Sequence, residues 1–276
     1  RCVAASACWA AAASSTTVAE RCSSATIAAS ASARSAEVGP AGSDAAALDD
    51  PEALSRAISE ALRVLPYRPR RAVVSLPADA VALRVLTLPS LTRRELPPVL
   101  REEASRTLPY DISGTSLAWE VIERSRYGMR VLVVAARMDH IRAVAEALRR
   151  AGLRRWIIEP APTALARAAA ASGVRDGAVV VHVGTGTAAF TAVFGGKAAS
   201  CSTQQFTPGS AREVASGLKR LLLALSGIDL ALVCGPGAPP GIEDALHASL
   251  GIEVRPLRVG AVPAEDARAA GRALRT

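Results

Sequence analysis

From residue 50 onward, β-rich runs alternate with segments of helical period, and such alternation restricts the chain to folds in which sheets are covered by helices. "RAVVSLP" and "VALRVLTLP" are β-rich runs ended by proline, and "LAWEVIE", "MRVLVVAAR" and "RWIIEP" follow as strands. Asp50 precedes Pro51 as a helix cap, with Leu54, Ile58, Leu62 and Leu65 at helical spacing behind it. Thr92 and Glu95 have capping-box spacing, which predicts a helix to about Leu108 whose regular part starts at Pro97 and Pro98. Residues 139–150 form a helix closed by Gly152 as a left-handed cap, and residues 162–171 another. The second half reads as a hairpin over 179–196, a strand near 198–203, a helix over 210–225, the buried strand "LALVCG", a helix over 240–250, the strand "IEVRPL" and a closing helix over 263–274. Residues 1–46 are rich in Ala, Ser and Thr, and "SSTTVAE" and "SATIAASASA" read as short strands around a turn at 21–24. The whole is an α/β chain of two lobes.

Half of the residues are apolar, so the chain is not read as disordered. The net charge of +8 raises a phosphate backbone or an acidic membrane surface as partner. Only Lys197 and Lys219 are lysines, however, and the arginines come as scattered pairs rather than a block interleaved with aromatics, so nucleic acid is not the expected partner. Cys2, Cys8, Cys22, Cys201 and Cys234 show no CxxC pairing and no histidine placed to complete a zinc site, and they read as reduced thiols. The uncharged stretch from Cys2 to Ala19 lacks the leucine-rich centre of a signal peptide or anchor, and no direct membrane insertion is expected. The chain opens on Arg1 without a methionine, which leaves its natural N-terminus open.

Two glycine-bearing turns are the candidate ligand sites. "VVVHVGTGTAAFTAVFGG" sets Gly184, Thr185, Gly186 and Thr187 between apolar strands, where backbone N–H groups can converge on an anion; the same pattern makes an ordinary hairpin. Gly235, Pro236 and Gly237 follow a buried strand and are equally a strand-to-helix turn. His182 reads as a hydrogen-bonded core or cleft histidine, and His140 and His247 as surface residues of amphipathic helices. Glu102 and Glu103 are adjacent, so on a helix they make a solvated face rather than an acid/base pair, while Glu159 ends a strand at the lobe junction in a buried or capping role or as a group that polarises water. No Gly-x-Ser-x-Gly elbow, Walker lysine or His/Cys metal spacing is present.

Taken in order, "VVSLPADAVALRVLTLP", "ELPPVLREEASRTLPYDI", "VLVVAARMDHIRAVAEALRRAGL", "IIEPAPTALARA", the 179–196 hairpin, "LVCGPGAPPGIEDALHASLGIEVRPL" and "AEDARAAGRALRT" resemble the PilM family, actin-like cytoplasmic proteins of type IV pilus assembly. The resemblance spans roughly residues 50–276. It implies an actin-like (ribonuclease H-like) α/β fold: a first lobe over 1–158 with a small inserted α/β subdomain at about 77–152, a reduced second lobe over 159–262, and a C-terminal helix over 263–276 packing back on the first lobe. It further implies ATP held between the lobes, a grip on the cytoplasmic N-terminal peptide of PilN, an inner-membrane protein, a homo-oligomeric ring, and a cytoplasmic location peripheral to the inner membrane.

Against that family the nucleotide site is incomplete. Gly184, Thr185, Gly186 and Thr187 keep the second phosphate hairpin, but His182 stands where the resemblance places an aspartate, and imidazole is a poor ligand for Mg²⁺. The first hairpin, an Asp-Gly-Ser/Thr sequence, is not found: no Asp precedes position 44 and no Gly precedes 39, so it lies upstream of Arg1 or is lost. Only residues 205–229 separate the second hairpin from the adenosine loop, which survives as Gly235, Pro236 and Gly237, so the long helical subdomain of the family is mostly missing. The expectation is a scaffold with a degenerate cleft, no catalytic residues and no metal beyond any Mg²⁺ that accompanies nucleotide. The alternatives are an active ATPase of the actin/sugar-kinase group with its first loop upstream, and the cytoplasmic domain of a GspL-like type II secretion protein.

Overall fold

The structure, a computed structural model, describes residues 26–29, 34–37, 48–64, 71–108 and 111–257. The strands "SSTTVAE" and the closing helix expected over 263–274 lie outside the described residues. Three sheets organise the rest. The first has the order β2 (Arg34–Glu37), β1 (Thr26–Ala29), β3 (Arg71–Leu76), β7 (Arg155–Pro160). The second runs β10 (Lys197–Gln205), β9 (Thr187–Phe194), β8 (Ala178–Val183), β11 (Leu230–Cys234), β12 (Glu253–Pro256). A three-stranded antiparallel sheet, β4 (Val81–Leu88), β6 (Gly128–Arg137), β5 (Thr115–Ser125), is built from the segment between β3 and β7.

The second sheet is an antiparallel meander, β10-β9-β8, continued by two strands parallel to β8. Removing β8 from it would leave an antiparallel pair beside a parallel pair, with β9 antiparallel to β11. That is the arrangement of the first sheet, in which β1 is antiparallel to both β2 and β3 while β3 and β7 are parallel. Among the described residues, the first sheet therefore has no counterpart of β8, the strand that leads into the glycine turn.

The helices form where the capping chemistry directs. Asp50 Oδ1 accepts from the N–H groups of Glu52 and Ala53, both at 3.0 Å, and starts α1 (Pro51–Val64). Glu95 accepts from the Thr92 N–H at 2.8 Å and its own N–H meets Thr92 Oγ1 at 3.4 Å, closing the capping box ahead of α2 (Leu96–Thr107). Pro97 and Pro98 sit in the first turn of that helix, where an N–H would have no intrahelical acceptor. Glu102 and Glu103 lie on its solvated side, both paired with Arg106. Then follow α3 (Met138–Arg150), ended by left-handed Gly152, α4 (Ala161–Ala171), α5 (Ala211–Ala224) and α6 (Ile242–Leu250).

The largest apolar cluster draws on all three sheets. Val74 and Leu76 come from the first, Leu83, Leu132 and Val134 from the small sheet, and Val180, Val193 and Leu232 from the second, closed over by Leu54 and Ile58 of α1 and Val144 and Leu148 of α3. The other face of the second sheet packs Val181, Phe190 and Val233 against α5 and α6. The segment 77–152 thus contributes to the shared core as well as covering its own sheet with α2 through Leu96 and Leu100.

His140 departs from the surface position expected of it. It is 6% exposed, because α1 lies over that side of α3, and its Nε2 reaches Asp49 at 3.5 Å. His247 is exposed as expected, its Nδ1 2.7 Å from the Ile252 carbonyl. Since Leu148 is fully buried between α1 and α3, Leu148→Ala is expected to lower unfolding stability by about 3 kcal/mol, read from the urea midpoint. A loss below about 1 kcal/mol would show that the two helices do not share a packed core.

Candidate functional site

The parallel strands β8 and β11 lie side by side and end together, at Val183 and Cys234, so the chain segments beyond them meet. Such carboxyl ends of neighbouring strands in an open α/β sheet are where ligands are held. The six residues singled out from the sequence, Gly184, Thr185, Gly186, Thr187, Gly235 and Gly237, are all brought to this place.

The geometry between them is a contact of backbone on backbone. Gly184 donates its N–H to the Thr187 carbonyl at 2.9 Å and closes the turn, and the Gly186 carbonyl accepts from the Phe206 N–H at 2.9 Å. Gly237 donates to the Val183 carbonyl at 2.9 Å, which ties the second loop to the first. A Cβ on Gly237 would fall 1.7 Å from the Gly184 carbonyl oxygen, and one on Gly235 would fall 2.3 Å from that of Val183. Gly235 also has φ +109°, a conformation that side chains disfavour. These two glycines are therefore demanded by the fit of loop on turn. Gly186 differs: a Cβ there meets nothing within 4 Å.

For anion chemistry, the amides of Gly184 and Gly237 are already committed inside the protein. His182 lies on β8 in register with Ala189 and Cys234, so the neighbours across the sheet supply a methyl and a thiol rather than a carboxylate. Among the described residues, no three His, Cys, Asp or Glu side chains are grouped to hold a metal ion. Glu159, 7% exposed, is paired with the Arg167 guanidinium of α4, so the carboxylate is engaged within the protein. The residues present do not fit a magnesium nucleotide of the ordinary kind.

Several residues that support this end of the sheet lie outside the glycine turns. Gly217 lets α5 approach the Phe190 ring, which would lie 2.8 Å from a Cβ there. Ser210 and Thr207 both engage Glu213 at the start of α5, fixing the chain that leaves β10. On the other face, Thr191 Oγ1 lies 3.8 Å from Cys201 Sγ, and burial pushes the Cys201 thiol up to about 11, which makes it a packing group rather than a nucleophile. Ser210 and Glu213 have the capping-box spacing and are legible locally, whereas the approach of Gly217 to Phe190 joins distant positions and has no local signal.

The two classes of glycine separate cleanly by mutation. Gly237→Ala is expected to cost about 2 kcal/mol or more in thermal or urea unfolding, whereas Gly186→Ala is expected to stay within about 0.5 kcal/mol. Equal effects at both positions would refute the loop contact.

A family model described as "Type IV pilus assembly protein PilM" matches residues 36–206. Among solved structures, the "PilM-PilN type IV pilus biogenesis complex" superposes with a TM-score of 0.70 at 21% identity, over 91% of this chain and 94% of that one. The cytoplasmic domain of EpsL, an inner membrane component of the type II secretion system of Vibrio cholerae, aligns over 79% of this chain and 80% of that one at 13% identity, with a TM-score of 0.48. The ethanolamine utilization protein EutJ from Carboxydothermus hydrogenoformans covers 44% of this chain and 57% of its own at 19% identity, with a TM-score of 0.35. No curated protein sequence matches the chain. The fold is the actin-like α/β fold.

Proposed function

The chain belongs to the PilM family of type IV pilus assembly proteins, and from that membership we propose that it is a scaffold that grips the cytoplasmic N-terminal peptide of a PilN-like inner-membrane protein without hydrolysing ATP. The observation that carries the reading is the family match itself, which runs through the small sheet and into the glycine turn, together with a likeness of fold to the PilM of a PilM-PilN complex. The chemistry of the cleft supports the second half of the proposal. His182 stands where the family resemblance places a carboxylate, and the Glu159 carboxylate is engaged by Arg167. Nucleotide, where it binds, rests over Gly184 to Thr187 and Gly235 to Gly237.

For the peptide, β5 offers the matching surface. It is the outer strand of its sheet, so one row of its backbone groups has no strand partner among the described residues. Leu117, Trp119 and Val121 line it, packed only in part against the cluster that holds Leu96 and Leu100. An added strand would take main-chain hydrogen bonds from the edge and seat alternate side chains against that row. Among the described residues no helix is long and apolar enough to cross a membrane, which suits a protein recruited by such a partner.

Two measurements test this. Magnesium-dependent release of phosphate from ATP is expected to match a boiled control, and clear turnover above it would overturn the non-hydrolysing assignment. A labelled peptide with the cytoplasmic sequence of the partner is expected to bind with little dependence on salt, and Trp119→Ala is expected to weaken it about tenfold, the loss typical of an aromatic anchor. Unchanged binding by that variant would place the peptide elsewhere.

A further inference from the structure

One end of the small sheet carries a concentration of positive charge that neither the cleft nor the β5 edge uses. The tip of the β5–β6 hairpin carries Arg124 at the end of β5, Arg126 and Tyr127 in the turn and Arg130 at the start of β6, and the chain beyond β4 holds Arg93 and Arg94; all six are exposed. These two segments are neighbours. Leu88 pairs with Met129, Arg124 donates from Nη1 to the Leu91 carbonyl at 3.2 Å, and a Cβ on Gly128 would fall 2.6 Å from the Leu88 carbonyl oxygen. The close approach at Gly128 and the Arg124 bond hold the turn in place against the β4 end.

The charge there is of nearly one sign. Over residues 88–95 and 123–130 there are five arginines and two carboxylates, Glu95 and Glu123. Both carboxylates are occupied: Glu95 accepts from Thr92, whose backbone N–H holds its carboxyl below the usual range, and Glu123 pairs with Arg130 at 3.2 Å. Arg126 instead lies over the ring of Tyr127, 4.6 Å from its centroid, and also donates to its hydroxyl. Tyr127 is 81% exposed, and only Leu223 is comparable among the large apolar side chains described.

We propose that this end of the sheet, Arg93, Arg94, Arg124 and Arg126 around Tyr127, is a contact for an anionic lipid surface. The tip of a hairpin is convex, so it suits a flat partner rather than a peptide that needs a groove. Guanidinium groups bind phosphate oxygens through paired N–H donors, and a cluster of them is drawn to anionic headgroups. A tyrosine at the apex, apolar in its body and polar at its tip, fits the headgroup level of a bilayer. The contact is peripheral and involves no membrane-spanning element.

The test uses the full chain without any partner, so its outcome is separate from that of the peptide assignment. Sedimentation with phosphatidylcholine vesicles, with and without phosphatidylglycerol, is expected to show binding only to the anionic vesicles and a fall as salt rises. At about 1 kcal/mol per arginine, the triple variant R93A/R94A/R126A is expected to lose on the order of a hundredfold in partition coefficient, while Arg212→Ala, on α5, leaves it unchanged. As a second readout that does not depend on removing charge, a Tyr127→Trp variant is expected to show a blue-shifted emission with anionic vesicles relative to the parent chain. Equal binding to neutral vesicles, equal binding by the triple variant, or capture of duplex DNA in place of vesicles would each overturn the proposal.

Discussion

Helix α4 is enclosed on nearly every side, and the relative placement of the sheets rests on it. It touches β3 and β7 of the first sheet and β8, β9 and β10 of the second. A helix in that position must be apolar all round, and the distance it sets between the sheets is fixed by the size of its side chains. The sequence "APTALARAAAA" meets both demands, with Ala164, Ala166, Ala168 and Ala169 buried and only Leu165 of any bulk. Its single charge, Arg167, is spent on Glu159 at the end of β7. Glu159 is buried and Arg167 partly exposed, so the pair orients the helix more than it adds net stability. The helix is thereby locked to the strand that precedes it.

The contact between the 184–187 turn and the 235–237 loop gives the glycines a role that needs no ligand. Two parallel strands that end together must send their chains away through a narrow space, and a Cβ at Gly235 or Gly237 would overlap a carbonyl oxygen. The glycines at 235 and 237 are therefore explained by the fit of loop on turn alone. Gly186 is the exception, since nothing in the fold asks for it. It is the position at which selection for a ligand and selection for the fold are distinguishable.

The elements were legible because their signals are local. Asp50 and the Thr92–Glu95 pair announce helix starts, and Gly152 a helix end, each through bonds made within a few residues. His140 was misplaced although its signal was present: His140, Val144, Ala147 and Leu148 follow the i, i+4, i+7, i+8 stripe of a buried face, and all four are buried. Its polarity outweighed its position. The two glycine turns are marked in the sequence, but the fit between Gly237 and Gly184 is not, because it joins positions more than fifty apart in the chain and leaves no periodic trace.

The small sheet gathers the surfaces proposed for partners, and its attachment to the rest explains how they could act together. The β5 edge proposed for a peptide and the turn proposed for lipid adjoin one another on a single strand. A bound peptide that led into a membrane, with β5 oriented toward that membrane, would bring the arginine-rich turn within a Debye length of the headgroups. Two weak contacts on one rigid element then reinforce each other, because the first fixes the concentration of the second. The rigidity comes from Lys197 of β10, whose Nζ lies 2.5 Å from Glu120 of β5, and from Leu83, Leu132 and Val134, which seat the sheet in the common core. A load applied to β5 would pass through these contacts to the second sheet, where β10 runs beside the strand that leaves the glycine turn.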